Sequence, residues 1–327
     1  MPQKETIRKL ADRLLKNSGV TNSTGLYDGK AGLSLALFLA AGYLQDEQLE
    51  DTAYNLLQES LVVKNSNMCF ENGLPGIGYA LLYLVENKYL EADFDEIFGE
   101  QYEAIIKSYE NIEKAPMALV KSLQTIYFLS KAGNVKKEDK RISKIIKKIF
   151  EGLELYLTVQ FFDFTDIRYI NNKAEVLNIY TIYLKLIDYS GYHRFSHALL
   201  EDYAALYRQG KIASSLETGF YLSRLTNGDN IKGYEDVINE NINNGINNIC
   251  LETLSLRERI DCTKIIRNIK NKNVKDIDLL SDVENIYQDS VIQDLLTKVD
   301  EKSFPFGYGA GLGRLLIYCI NSQMELL

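Results

Sequence analysis

The stretch Gly25–Leu39, GLYDGKAGLSLALFL, is the most informative part of the chain because it joins three glycines to a strongly apolar helical segment. Glycine inside a helix costs about 0.5–1 kcal/mol relative to alanine, so the use of Gly29 and Gly32 requires a reason. Asp28 precedes the apolar segment and is a favourable N-cap residue. We therefore expect a helix to begin here with both glycines in its first turn, which would leave the first-turn backbone N–H groups bare and facing any ligand at that end.

Two later stretches repeat this pattern, and we call Gly25–Leu39, Glu71–Leu84 and Phe306–Tyr318 the first, second and last glycine motifs. An offset of 44 residues pairs the first motif with the second, matching Asp28 with Asn72, Gly29 with Gly73, Gly32 with Gly76 and Ala36 with Ala80. Repeated G-x-x-G pairs at one spacing are more specific than a single pair, and they indicate an internal repeat. The simplest role of these glycines is to let neighbouring repeats pack closely.

Weaker copies of the motif can be placed between the second and the last. When Gly311 is matched to Gly32, the remaining copies put Ala118, Glu175, Gly219 and Ile265 at the same position. This spacing predicts seven repeats of about 46 residues, each long enough for two helices and their loops. The two ends of the chain carry the most similar motifs, which favours a closed ring over an open solenoid.

Two kinds of helix alternate in this repeat. The segments after the glycine motifs are apolar on most sides, whereas the segments between them carry one apolar stripe: Leu49, Ala53, Leu56, Leu57 and Leu61 in the first repeat and Ile142, Ile145, Ile146 and Phe150 later. Buried inner helices should therefore alternate with amphipathic outer helices. With only four prolines in 327 residues, the chain is predicted to be all-α, a single α/α toroid domain over residues 1–327.

The three motifs and their spacing resemble lanthionine synthetase C-like proteins, the cyclases of lanthipeptide biosynthesis and their relatives. The resemblance implies seven inner and seven outer helices, with the active site at the glycine-rich end. It also implies that the motif glycines are structural turns at the cavity end, namely Gly29, Gly32, Gly73, Gly76, Gly309 and Gly311. In the family, zinc held by two Cys and one His deprotonates a peptide thiol, which adds to dehydroalanine or dehydrobutyrine.

The chain departs from the family's zinc ligands, which precede the glycine turns of the fifth and sixth repeats. The fifth repeat reads KIASSLETGFYL and has no cysteine, and the sixth reads RERIDCTKII, where Thr263 rather than histidine follows Cys262. Cys262 is thus the one weak remnant of a ligand set, and no confident metal site or catalytic residue is assigned. We expect a zinc-free relative that binds a precursor peptide or a partner modification enzyme. An active cyclase is the alternative.

Composition and charge argue against several classes of protein. A net charge of −8 and a pI near 5.1 argue against general nucleic-acid binding. The N-terminal segment is charged and amphipathic, unlike a signal peptide, and the apolar run 31–44 is too short to span a bilayer. The four cysteines, Cys69, Cys250, Cys262 and Cys319, form no C-x-x-C pair, which is typical of thiols in a reducing compartment. These features predict a cytoplasmic protein without membrane insertion.

Other polar features offer competing chemistry. His193 and His197 are four residues apart and would share one face of a helix, where they could bind a metal, although no third ligand is evident nearby. Asp163 and Asp166 lie among aromatic residues and could form the carboxylate pair of an α/α-barrel glycosidase. The chain has no tryptophan, a common sugar platform, which argues against the glycosidase.

The stretch Lys136–Lys148 concentrates positive charge in an acidic protein. Its lysines oppose an isoleucine stripe, so a solvated helix face is the simpler interpretation, and docking of an acidic peptide or partner is the alternative. The Asn-rich stretch Asn239–Cys250 keeps isoleucines at helical spacing and predicts another outer helix.

Overall fold

The computed structural model describes residues 4–62, 66–112, 116–164, 172–192, 194–225, 233–249, 254–270, 307–309 and 311–321. Within these ranges all regular secondary structure is helical, with fourteen α-helices, one short 3-10 helix and no β-strand. The prediction of an all-α protein is confirmed for the described part of the chain. No helix in these ranges is long and apolar enough to cross a membrane.

The α-helices are α1 (Lys4–Asn17), α2 (Lys30–Leu44), α3 (Glu47–Val62), α4 (Leu74–Glu86), α5 (Phe94–Glu110), α6 (Pro116–Ser122), α7 (Thr125–Val135), α8 (Lys140–Asp163), α9 (Lys173–Ser190), α10 (His197–Arg208), α11 (Leu216–Leu225), α12 (Glu235–Asn247), α13 (Leu256–Lys270) and α14 (Leu312–Ile320). The 3-10 helix Ser18–Val20 follows α1.

Seven helices of the described chain begin at or near the positions predicted for the repeat, at intervals of 40 to 57 residues rather than at one fixed period. The first residues of α2, α4, α6, α9, α11, α13 and α14 lie 44, 42, 57, 43, 40 and 56 residues apart, and α7 directly follows α6. The predicted positions Ala118 and Glu175 fall on the third residue of their helices, as Gly32 and Gly76 do. The other positions are displaced from the third residue of their helices, Gly219 by one residue, Ile265 by seven and Gly311 by three.

The chain divides into two compact units, one formed by residues 1–108 with 251–327 and the other by residues 109–250. In the first unit α2 contacts α1, α3, α4 and α14. Twelve of its fifteen residues are buried, whereas α3 buries one stripe of Leu49, Ala53, Leu56, Leu57 and Ser60, with Leu61 half-buried. Here the predicted alternation of a buried and an amphipathic helix is confirmed. The assignment of one domain to the whole chain stays a prediction.

The second unit is organised around α8, which contacts α6, α7, α9 and α10. Its buried stripe includes Ile142, Ile145 and Ile149, whereas Lys140, Lys144 and Lys147 on the same helix are exposed. Asp139 caps the helix by accepting a hydrogen bond from the Arg141 N–H. The Asn-rich stretch forms most of α12, as its isoleucine spacing predicts.

Glu154 is a half-buried carboxyl on α8 that accepts a 2.6 Å hydrogen bond from the Tyr183 hydroxyl. Burial raises the pKa of Glu154 above its ordinary value, although the tyrosine bond opposes this shift. Because the folded pKa exceeds the unfolded one, the folded state binds the proton more tightly. Its stabilising contribution is present at acidic pH and is lost as pH rises through the raised pKa.

Replacing Glu154 with glutamine should therefore raise the free energy of unfolding at neutral pH and have little effect near pH 4, since the amide keeps a hydrogen-bond acceptor without the buried charge. Urea unfolding at the two pH values measures this difference. A variant that is less stable at neutral pH would show that the ionised carboxylate stabilises the fold.

Candidate functional site

Backbone hydrogen bonds join the last glycine motif to the first and the first to the second. The Gly309 N–H donates to the Tyr27 carbonyl at 3.0 Å, and the Tyr27 N–H donates to the Glu71 carbonyl at 2.7 Å. The last motif therefore packs against the first in the same way as the first packs against the second. Because the two loops are hydrogen-bonded directly through their backbones, no side chain fits between them at these points.

The helix starts correct the register of the last motif. Gly29, Gly73 and Gly311 are the N-cap residues of α2, α4 and α14, all with extended backbone and no side-chain cap. Gly311 thus corresponds to Gly29, and the prediction that it matches Gly32 is wrong. The last motif carries glycine at every second position from Gly307 to Gly313, so counting glycines alone allows more than one register.

The predicted N-cap residues are wrong as well. Asp28 and Asn72 precede the capping glycines by one residue. The side-chain oxygen of Asn72 instead accepts a hydrogen bond from the Asp28 N–H at 3.2 Å, so it links the first motif to the second.

The N–H groups at the start of α2 are satisfied by the preceding loop. Lys30 donates to the Ser23 carbonyl at 2.9 Å and Ala31 donates to the Thr24 carbonyl at 3.3 Å. The expectation of bare donors facing a ligand is therefore wrong for these groups, because the loop folds back over the helix end.

Close packing explains the glycines at the third position of the helices. A methyl group at Gly76 would overlap the Phe70 carbonyl oxygen and lie 2.8 Å from Cβ of Leu26. A methyl group at Gly32 would overlap the Leu26 carbonyl oxygen and lie 2.8 Å from Cβ of Tyr308. Gly76 thus lies against the Leu26 side chain of the first motif, and Gly32 lies against the Tyr308 side chain of the last motif.

Arg314 occupies the corresponding third position of α14. Its side chain is fully buried, and its Nη2 lies 2.6 Å from Oδ1 of Asp261 on α13. Burial by itself lowers the pKa of Arg314, but the Asp261 carboxylate and the Tyr308 phenol outweigh burial and raise it above its ordinary value. A permanently charged guanidinium is therefore held inside the protein at the glycine-rich end.

Tyr27 joins this charged pair to the first motif. Its ring lies 6.1 Å from the Tyr308 ring and 5.5 Å from the Arg257 guanidinium, measured to ring centroids. Burial raises the pKa of Tyr27, so the phenol stays protonated at neutral pH. Arg257 Nε also lies 3.8 Å from Asp261 Oδ2.

We call Tyr27, Arg257, Asp261, Tyr308 and Arg314 the arginine–tyrosine cluster. Two guanidinium groups share one carboxylate within it, and the Arg257 side chain keeps 34% of its surface exposed. A guanidinium can donate paired hydrogen bonds to a carboxylate or bind a peptide carbonyl. The sequence analysis missed this cluster because the misplaced register put Arg314 three residues beyond the glycine position that it replaces.

The resemblance implies a zinc ligand ahead of a glycine turn, whereas Cys262 is the seventh residue of α13. It is half-buried within α13, well after the helix start at Leu256. Ser255 precedes that helix and exchanges hydrogen bonds with Glu258 in a capping box, at 2.7 Å and 3.3 Å. The described residues directly ahead of α11 (211–215) and α13 (254–255) include no cysteine or histidine, and Cys250 lies outside the described residues.

The other predicted metal and carboxylate pairs are not assembled by the described residues. His197 is the first residue of α10 and residues 194–196 are not helical, so the expectation of one helix face shared with His193 is wrong. His193 and Asp166 lie outside the described residues, and Asp163 ends α8. In the described ranges no three His, Cys, Asp or Glu side chains come close enough to hold a metal ion.

The described cysteines form no disulfide, in agreement with the prediction of thiols. Cys69 is exposed, Cys262 is half-buried and Cys319 is buried, while Cys250 lies outside the described residues. Burial raises the pKa of Cys319 to about 12, which makes that thiol a poor nucleophile at neutral pH.

Comparison of the chain with protein-family models, with curated proteins and with solved structures found no match.

Replacing Gly76 with alanine is expected to lower the free energy of unfolding by about 2 kcal/mol, because the methyl group overlaps a backbone carbonyl that is held between two motifs. Gly99 is the matched control, since it lies inside α5 and a methyl group there meets nothing within 4 Å. Gly99→Ala should raise the free energy of unfolding by about 0.5–1 kcal/mol. Urea unfolding of both variants measures the two changes, and a tolerated Gly76→Ala would contradict the close packing.

Removing either member of the buried ion pair should destabilise the fold to different extents. Asp261→Asn leaves the fully buried Arg314 without its carboxylate and should cost about 3–5 kcal/mol. Arg314→Met should cost less, because Asp261 keeps Arg257 beside it. The unfolding midpoints in urea rank the two variants, and the reverse order would show that Arg314 is not held mainly by Asp261.

Proposed function

We propose that this chain is a lanthionine synthetase C-like protein that binds a precursor peptide, or the enzyme that modifies it, without zinc chemistry. In this proposal the seven recurring helix starts belong to the inner helices of an α/α toroid. The contact of the last glycine motif with the first supports ring closure, because it repeats the contact between the first and second motifs. This repeated contact is the observation that carries the proposal.

The zinc-free part of the proposal rests on residue identity and position. The positions just ahead of α11 and α13 would have to supply cysteine and histidine ligands. The described residues 211–215 and 254–255 there supply neither, and Cys262 is the seventh residue of α13. We therefore assign no thiol activation to this chain. The expected residence of such a protein is the cytoplasm, with peptide or protein partners rather than nucleic acid or membrane.

The arginine–tyrosine cluster is the proposed peptide contact. The partly exposed Arg257 would receive a peptide carbonyl or carboxylate, while Asp261 and the Tyr27 ring hold its guanidinium in place. Arg314 and Tyr308 form the buried base of the cluster. Such a site binds and orients a peptide, and it contains no group positioned to deprotonate a thiol.

The proposal is tested with a synthetic labelled peptide that contains one cysteine and one dehydroalanine. We expect the peptide to bind the purified chain, the zinc content to stay well below one ion per chain, and the peptide thiol to remain unconsumed. Arg257→Gln should weaken binding about fivefold or more, because paired hydrogen bonds to the guanidinium are lost. Arg259→Gln is the matched control, since Arg259 lies on the same helix and bonds the Leu254 carbonyl.

About one zinc ion per chain that is lost in Cys262→Ala, together with consumption of the peptide thiol, would instead establish the active cyclase. Absence of peptide binding to the wild-type chain, or equal effects of the two arginine variants, would overturn the binding role proposed for the cluster.

A further inference from the structure

Two helices of the first unit each carry an excess of acidic residues. Helix α3 carries Glu47, Glu50, Asp51 and Glu59 and has no lysine or arginine. The part of α5 up to Ser108 carries Asp95, Glu96, Glu100 and Glu103 with a single lysine, Lys107. A surface of one charge sign attracts a partner of the opposite sign and raises its association rate.

An apolar groove of about 590 Å³ lies along these helices. Its lining includes Tyr54, Leu57, Leu61 and Val62 of α3, Leu81 of α4, and Leu90 and Ile97 beside and on α5. Leu57 and Leu81 are buried, whereas Tyr54, Ile97 and Val62 keep 44%, 38% and 82% of their surface exposed. Large apolar side chains exposed around one groove are typical of a site that another chain covers.

The acidic residues lie on the same helix faces as the residues that line the groove. On α3, Glu47 and Asp51 precede Tyr54 at spacings of seven and three residues, which places them on the groove-facing stripe. On α5, Glu100 follows Ile97 by three residues and shares its face. Glu91 lies in the lining itself, and Glu59 beside the groove is paired with Lys30 at 2.5 Å.

We propose that this groove docks a basic amphipathic segment of the precursor peptide, with apolar side chains in the groove and lysine or arginine against the carboxylates. The groove selects apolar anchors, and the acidic helices on its sides select cations over anions. The mode is that of an amphipathic peptide laid into a hydrophobic groove. The identity of the partner as precursor peptide rests on the proposed function, whereas the basic apolar chemistry follows from the groove.

The test uses a fluorescent synthetic peptide of leucine and lysine at helical spacing as the probe, with a leucine–glutamate counterpart as its charge control. Fluorescence anisotropy with the full chain should show binding of the basic probe only, weakened by added salt. The groove variant Tyr54→Ser/Val62→Ser/Ile97→Ser should bind the basic probe at least about tenfold more weakly. The matched control Leu155→Ser/Val159→Ser/Phe162→Ser removes three exposed apolar side chains from α8 in the other unit and should leave affinity unchanged.

A second pair of variants keeps the apolar groove intact and changes charge alone. Glu91→Lys/Glu100→Lys should weaken the basic probe severalfold, whereas Glu201→Lys/Glu240→Lys, with the same change in net charge on exposed sites of the other unit, should not. Equal effects within either pair, or equal binding of the acidic probe, would overturn the proposal. The proposal would also be overturned if the groove variant bound the basic probe as tightly as the wild-type chain but differed from it in assembly mass by light scattering. A second copy of the chain would then be the occupant of the groove.

This assay contains neither cysteine nor dehydroalanine and does not depend on Arg257. If the basic probe does not bind the groove, the result for peptide binding at the arginine–tyrosine cluster is unaffected. If the peptide does not bind at the cluster, the measurement on the groove is equally unaffected.

Discussion

The first unit depends on the close backbone approach of the first glycine motif to the second and to the last. A hydrogen bond from Tyr27 to Glu71, and its counterpart from Gly309 to Tyr27, brings two loops together with nothing between them. A side chain larger than hydrogen cannot then be accommodated at Gly32 or Gly76, because the carbonyl of the same loop fills that space. The glycines are thus required first by the loop that folds back over the start of their own helix, and then by the neighbouring motif, whose Cβ atom would lie 2.8 Å from an added methyl group.

Arg314 shows what happens when that position is not glycine. Its long side chain reaches Asp261 on α13 and forms a buried ion pair there. Since an uncompensated buried charge is costly, this pair ties the start of α14 to α13 and brings Arg257 and Tyr27 into the same cluster. The last motif therefore has a buried ion pair at the helix position where the first and second motifs have glycine.

The first unit also carries two regions of opposite electrostatic character. The arginine–tyrosine cluster has more cationic than anionic groups, whereas the groove along α3 and α5 is bordered by carboxylates. A peptide with a basic amphipathic segment and a separate segment that offers carbonyl or carboxylate oxygens would complement both. The overall net charge of −8 conceals this division, because it sums the two regions.

The sequence by itself determined the helical class, the alternation of α2 with α3 and the packing role of Gly32 and Gly76. These follow from local periodicity and from the size of glycine, which are properties of the chain alone. The register of Gly311, the N-cap glycines, the place of Cys262 and the arginine–tyrosine cluster were decided only by the tertiary structure. They depend on which helix start faces which neighbour, and residues far apart in the chain, such as Tyr27 and Tyr308, meet only after the repeats have packed.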